Sequence, residues 1–157
     1  TACRTYYRSV ERRKSQFANF IPMLNKKSQY ALQALQYLAE QQDRGPILIS
    51  EIAESRNIPL KFLETILLQL RKEGILKSKK GKGGGYSLAL EPKEIPLARI
   101  IRLIHGPIAM LPCVSLYFYE RCANCDEENC GLHDTMVQVR DASLRILEKK
   151  TVADLAK

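Results

Sequence analysis

Four residues near the C-terminal third of this chain have types and spacing suited to chemistry: Cys122-x2-Cys125-x4-Cys130-x2-His133, with Cys113 nine positions upstream. Thiolates this close repel one another unless a cation or cluster compensates them. Iron or zinc would supply that positive charge, and Cys130 and His133, at i and i+3 on a helix start, can face one site. The neighbourhood is acidic, with Glu120, Asp126, Glu127, Glu128 and Asp134 against Arg121, which makes bare thiolates still less favourable. Three readings of the loop stand side by side: a metal or cluster site, a reversible thiol switch, and inert cysteines. Cys113 fits either a fourth ligand or a buried structural thiol. His105 reads as a structural residue and Cys3 as incidental. Five cysteines, three of them within nine residues, suit a reducing cytoplasm better than a secreted disulfide framework.

A second stretch carries a different chemistry. Lys77, Lys79, Lys80 and Lys82 punctuate a run that ends in Gly83-Gly84-Gly85, and Tyr86, Leu88 and Leu90 then alternate with Ser87 and Ala89. That alternation predicts a half-buried strand, and Ile75-Leu76 predicts its partner. Glycines allow a narrow tip from which lysines project. A phosphate-binding loop is excluded, because a strand and not a helix follows the glycines and no Lys-Ser or Lys-Thr closes the turn. A slim cationic hairpin has the phosphate backbone of a nucleic acid as its natural target.

The elements that position these groups are mostly helical. Lys27 to Gln42 places Tyr30, Ala31, Ala34, Leu35, Leu38 and Ala39 on one face, and Gly45-Pro46 ends it. Ile47-Leu48-Ile49 is a short extended piece, after which Ser50 is expected to cap a helix that turns Ile52 and Ala53 inward. Arg56-Asn57-Ile58 makes a turn, and Pro59 opens a helix expected to bury Phe62, Leu63, Ile66, Leu67 and Leu70 before Gly74 caps it. Helix, turn, helix and basic hairpin make a winged helix-turn-helix, whose second helix enters the major groove by its N-terminal residues. Lys61, Glu64 and Thr65 are the residues that would face the groove. A last helix from about Leu132 to Lys149 sets Leu132, Met136, Val139, Ser143 and Ile146 at four-three spacing, a seam for a partner helix or for the chain's own core.

Composition agrees. The chain has 157 residues, 45% of them hydrophobic, and a formal net charge of +8. From Arg71 to Lys82, six basic residues (Arg71, Lys72, Lys77, Lys79, Lys80, Lys82) stand against Glu73. No apolar run is long enough for a membrane span. With two histidines and no nucleophile–base frame, no catalytic constellation is present, so an enzyme is not expected. Residues 1–22 are basic through Arg4, Arg8, Arg12, Arg13 and Lys14 and read as an extension outside the fold, Met23 being a plausible start; a DNA-touching arm is the alternative.

The stretches Ser28-Gln29-Tyr30-Ala31-Leu32-Gln33-Ala34-Leu35, Ile52-Ala53, Ile58-Pro59, Phe62-Leu63-Glu64, Leu70-Arg71-Lys72-Glu73-Gly74 and, most specifically, Gly83-Gly84-Gly85-Tyr86-Ser87-Leu88-Ala89 resemble the Rrf-two family of bacterial winged helix-turn-helix transcription regulators. Ile100-Ile101-Arg102, Gly106-Pro107-Ile108 and Thr151-Val152-Ala153-Asp154-Leu155 extend the resemblance to the C-terminus. It implies a mainly α fold with a small β-hairpin wing. The expected divisions are a DNA-binding domain over 23–108, a cysteine-containing sensory loop over 109–131, and a dimerisation helix with its tail over 132–157. It also implies Ser28 and Tyr30, besides the wing, at the DNA face; pairing of the last helix across a two-fold axis; and a homodimer on a palindromic double-stranded operator, acting as a repressor. In cluster-binding relatives three cysteines lie in this loop, and Cys130-Gly131-Leu132-His133 matches the ending seen in some. Two departures stand out. Lys80 occupies a place where many members carry Arg, and a lysine lacks the fork of a guanidinium. The Cys122–Cys125 gap is shorter than in the iron–sulfur sensors, which leaves an iron–sulfur cluster (2Fe–2S as one form) and zinc both open. The competing function is a metal-handling or adaptor module whose winged helix contacts a partner protein.

Overall fold

The computed structural model describes residues 24–156. Five helices and one hairpin follow in the order α1 (Lys26–Glu40), α2 (Ile49–Arg56), α3 (Leu60–Lys72), β1 (Leu76–Lys79), β2 (Gly85–Leu88), α4 (Leu97–Ile104) and α5 (Gly131–Lys149), with short 3₁₀ turns between them. The fold is mainly α with a two-stranded wing, as the sequence predicts.

Asn25 starts α1, its Oδ1 accepting the Ser28 N–H at 2.8 Å. The apolar stripe of α1 delivers Ala31, Ala34, Leu35 and Leu38 to the core, where they meet Ile52, Leu63, Ile66, Leu67, Leu70 and Ile100, all buried. Each fully buried Leu or Ile contributes about 1.5–3 kcal/mol of transfer free energy, so α1, α3 and α4 hold one another. At the end of α3 the Gly74 N–H returns to Arg71 O and the Ile75 N–H to Leu70 O, both at 3.0 Å, with Gly74 at φ +69°. This double return satisfies the last carbonyls, buries Ile75, and aims the chain into β1.

Three local expectations need correction. Ser50 does not cap α2: the cap position is Leu48, without a side-chain bond, and Ser50 sits exposed inside the first turn. The cause is Ile47, whose N–H and C=O both pair with Tyr86 at 2.8 Å, so the helix must begin directly afterwards. Phe62 is not in the core but 55% exposed. The first helix ends at Glu40, and Gln42–Arg44 is a separate 3₁₀ turn.

The C-terminal end folds back on the helical core. Leu97 N–H donates to Lys150 O at 2.9 Å and Val152 N–H to Ile95 O at 3.0 Å, and Val152 is fully buried in the same core as α1. No helix among the described residues is long and apolar enough to cross a membrane.

Candidate nucleic-acid interface and cysteine loop

The hairpin pairs Leu76 with Leu88, Lys77 with Ser87, Ser78 with Tyr86 and Lys79 with Gly85, antiparallel. Its glycines are required by contact as well as by φ. A Cβ on Gly84 would stand 2.5 Å from Lys79 O and 2.8 Å from Gly81 O, the carbonyl that accepts the Gly84 N–H. Gly85, at φ +148°, lies so close to Ile47 that a Cβ would overlap its carbonyl group. Ile47 thereby docks on the hairpin as a one-residue third strand. Arg71 of α3 braces the other side, its Nη1 donating to Ser78 Oγ at 3.1 Å. The four lysines 77, 79, 80 and 82 are exposed, and no ion pair among the described residues neutralises them. The result is a rigidly seated, uncompensated cationic finger.

Lys61, Glu64 and Thr65 all lie exposed on the first turns of α3, with Thr65 Oγ1 donating back to Lys61 O. Tyr30 is half-buried at the edge of this face, and its ring meets Phe62 edge-on, 6.4 Å between centroids. Ser28 is corrected. It is fully buried, its N–H is taken by the Asn25 cap, and its hydroxyl faces the interior, so it does not present itself to a ligand.

The cysteine loop joins α4 to α5. Cys113 sits buried in the 3₁₀ turn Pro112–Val114, while Cys122, Cys125 and Cys130 are half-buried. Cys130 caps α5, its Sγ accepting the His133 N–H at 3.4 Å. Glu127 ties the loop together, taking the Tyr119 hydroxyl at 2.9 Å on both oxygens and the Cys122 N–H at 3.4 Å. Cys125 is pushed up to about 12, first by its bond to Cys122, then by burial and by Cys130. Cys122 is lowered, first by the Asn124 N–H and then by the Cys125 thiol. Burial first, then the charges of Glu127, Cys122 and Cys130, raises Cys113. Among the described residues no three His, Cys, Asp or Glu side chains stand in coordinating geometry. The donor types, thiols and an imidazole, are those a thiophilic centre uses, and the buried His133 Nδ1 has no hydrogen-bond partner.

Along α5, Leu132 and Ile146 are about 60% exposed, Val139 is exposed at 36%, and Met136 and Ser143 are half-buried. Leu144 is the helix's buried contact with the rest of the chain. Arg140 Nη1 donates to Val114 O at 2.7 Å, next to Cys113, and Arg102 of α4 pairs with Glu148 at 2.7 Å. The seam is thus presented outward while the helix is tied down at its middle and near its C-terminal end.

Sequence reasoning read Ile47 as extended but missed its pairing with Tyr86, and it missed Asn25 and the bond from Arg140 altogether. Only Asn25 carried a local signal, as an Asx residue one step before the helix.

A trihelical core with a docked cationic hairpin is a winged helix-turn-helix, a class of DNA-binding domain. The family described as Rrf2, iron-dependent transcriptional regulator, matches residues 24–157. The chain belongs to this Rrf2 (Rrf-two) family of transcription regulators, and it is not an enzyme. A Rhodobacter capsulatus protein named as an rrf2-like HTH-type transcriptional regulator is 39% identical over 137 residues, spanning 85% of this chain and 91% of that protein. The HTH-type transcriptional regulator CymR of Bacillus subtilis is 30% identical over 133 residues, spanning 85% and 88%. Among solved structures, that of B. subtilis CymR superposes with a TM-score of 0.72 at 30% identity, over 87% of this chain and 97% of the other. IscR of T. potens gives 0.68 at 28% identity, over 85% of each.

Proposed function

We propose that the chain acts in the cytoplasm as a homodimeric repressor on a palindromic operator, its DNA affinity set by the state of the cysteine loop. The observation that carries the DNA contact is the wing: four unpaired lysines on a hairpin clamped between Ile47 and Arg71. Charge of that kind is of use against phosphates and of little use at a neutral protein surface. In a dimer through the α5 seam, two α3 helices would face successive turns of the major groove. The working division is a DNA-binding unit over 23–108, a sensory loop over 109–131 and a dimerisation segment over 132–157.

Cys122, Cys125 and Cys130, with His133 or Cys113 completing the set, would hold an iron–sulfur cluster or zinc. Such a group supplies the positive charge that lets neighbouring sulfurs ionise together. The chain's own residues supply the link to DNA. Cys130 caps α5, Glu127 fixes the loop to Tyr119, and Arg140 ties α5 to the turn that carries Cys113. A change at the thiols therefore acts on the start of α5 and on the spacing of the two reading helices, and a coupling of a few kcal/mol is enough to switch occupancy.

The test is a salt titration of duplex binding with wild-type protein and a Lys79→Ala, Lys80→Ala, Lys82→Ala variant. The log–log salt slope is expected to flatten by about 0.9 for each phosphate contact removed. An unchanged slope rejects the wing as the phosphate contact, and favours the adaptor function if wild-type binding is itself indifferent to salt.

A further inference from the structure

We propose that Phe62, held in place by Tyr30, reads thymine in the major groove by packing its ring against the C5-methyl group. This rests on the DNA-binding reading above and adds a specificity determinant to it. Phe62 is the third residue of α3, in the first turn, the part of such a helix that meets base edges. Its neighbours Leu63 and Ile66 are fully buried, yet Phe62 is 55% exposed, beside the exposed Lys61 and Thr65. The same turns carry the exposed Glu64, so this face is mixed in charge, and an aromatic ring on it adds nothing to phosphate binding. Its orientation is nonetheless fixed: the Tyr30 ring meets it at 71°, edge to face, which removes much of the freedom a surface phenylalanine otherwise has. A preorganised apolar ring needs an apolar target, and the thymine methyl is the apolar feature that the major groove offers. The competing occupant is a second copy of this chain, but the α5 seam that suits a second copy is carried by a different element.

The experiment selects a tight duplex from a randomised pool with wild-type protein. Each thymine of that duplex is then replaced in turn by deoxyuridine, which removes the methyl and keeps every hydrogen-bonding group. We expect one or two positions at which the loss of the methyl weakens wild-type binding about three- to fivefold. Phe62→Ala should bind the thymine and deoxyuridine duplexes equally at those positions, with the salt slope of the wild type, because the lysines are untouched. Wild-type indifference to every replacement, or full discrimination retained by Phe62→Ala, overturns the proposal. So does a Phe62→Ala protein that keeps its discrimination but changes its sedimenting state, which assigns the ring to a contact between copies. Failure to select any duplex, together with a flat salt dependence, rejects the DNA-binding reading itself and is thereby distinguished from a failure of Phe62 alone.

Discussion

Three adjacent glycines in the wing separate backbone conformation from steric contact, and substituting each by alanine should set Gly85 apart from the other two. Gly83 has φ +72° and open space where a Cβ would go, so Gly83→Ala carries only the conformational cost, about 1–2 kcal/mol. Gly84 has no such backbone demand, but its Cβ would press on Lys79 O and Gly81 O and open the turn bond from its own N–H. That costs roughly one hydrogen bond with its strain, about 1–2 kcal/mol. Gly85 combines both: φ +148° is glycine territory, about 1–3 kcal/mol, and its Cβ would expel Ile47. Losing the two Ile47–Tyr86 bonds adds about 1 kcal/mol each, for a total of about 3–5 kcal/mol. Against a typical domain stability of about 5–15 kcal/mol, this is a large fraction. Urea unfolding of the four proteins measures the series, and amide exchange at Ile47 and Tyr86 locates the damage. Gly85→Ala should also lose duplex affinity most, because the wing then leaves its seat. An unfolding midpoint for Gly85→Ala equal to that of Gly83→Ala would refute the assignment of Ile47 as the docked third strand.

Other expectations follow from single contacts. Met136→Glu with Val139→Glu should give a monomer in sedimentation, because two like charges would otherwise be buried across the seam; a persistent dimer places the interface elsewhere. The Asp154 carboxylate is held below the usual range, first by the Thr151 N–H, then by the Thr151 hydroxyl and Lys150. Its contribution is present above about pH 4 and is lost as pH falls through the lowered value, so Asp154→Asn should flatten the acid limb of a stability–pH curve. Equal acid limbs would deny the Thr151–Asp154 bonds a role. Cys125→Ser should lower the iron or zinc of anaerobically purified protein and make operator affinity indifferent to oxidation; wild-type protein that lacks stoichiometric metal and binds equally well reduced or oxidised would end the sensing proposal.

The wing, the helix order and the long last helix were legible because each is written locally: glycines with alternation, apolar stripes at helical spacing, and a four-three seam. The errors arose where a distant segment decides. Phe62 fits an apolar stripe as well as Leu63 does, and only the seating of α3 against α1 shows that it falls on the flank. Ile47 pairs with Tyr86, 39 positions later, a bond no window on the sequence contains. The cysteines were found by spacing alone, while the lowering of Cys122 by the Asn124 N–H and the raising of Cys125 by the Cys122 thiol depend on how the loop folds.

The fold-back of residues 150–152 onto Ile95 and Leu97 has a consequence for how the protein comes into being. Val152 fills a place in the core shared with Leu35, Ile95 and Ile100, so the DNA-binding unit lacks a wall until that residue has left the ribosome. A nascent chain halted after residue 130 has the reading helix, the wing and the cysteine loop, but an open core with Ile95 exposed. Closure of that core late in synthesis ties completion of the winged helix to the presence of α5. A half-made chain, lacking the helix that carries the seam, is thereby also without a finished DNA-binding unit.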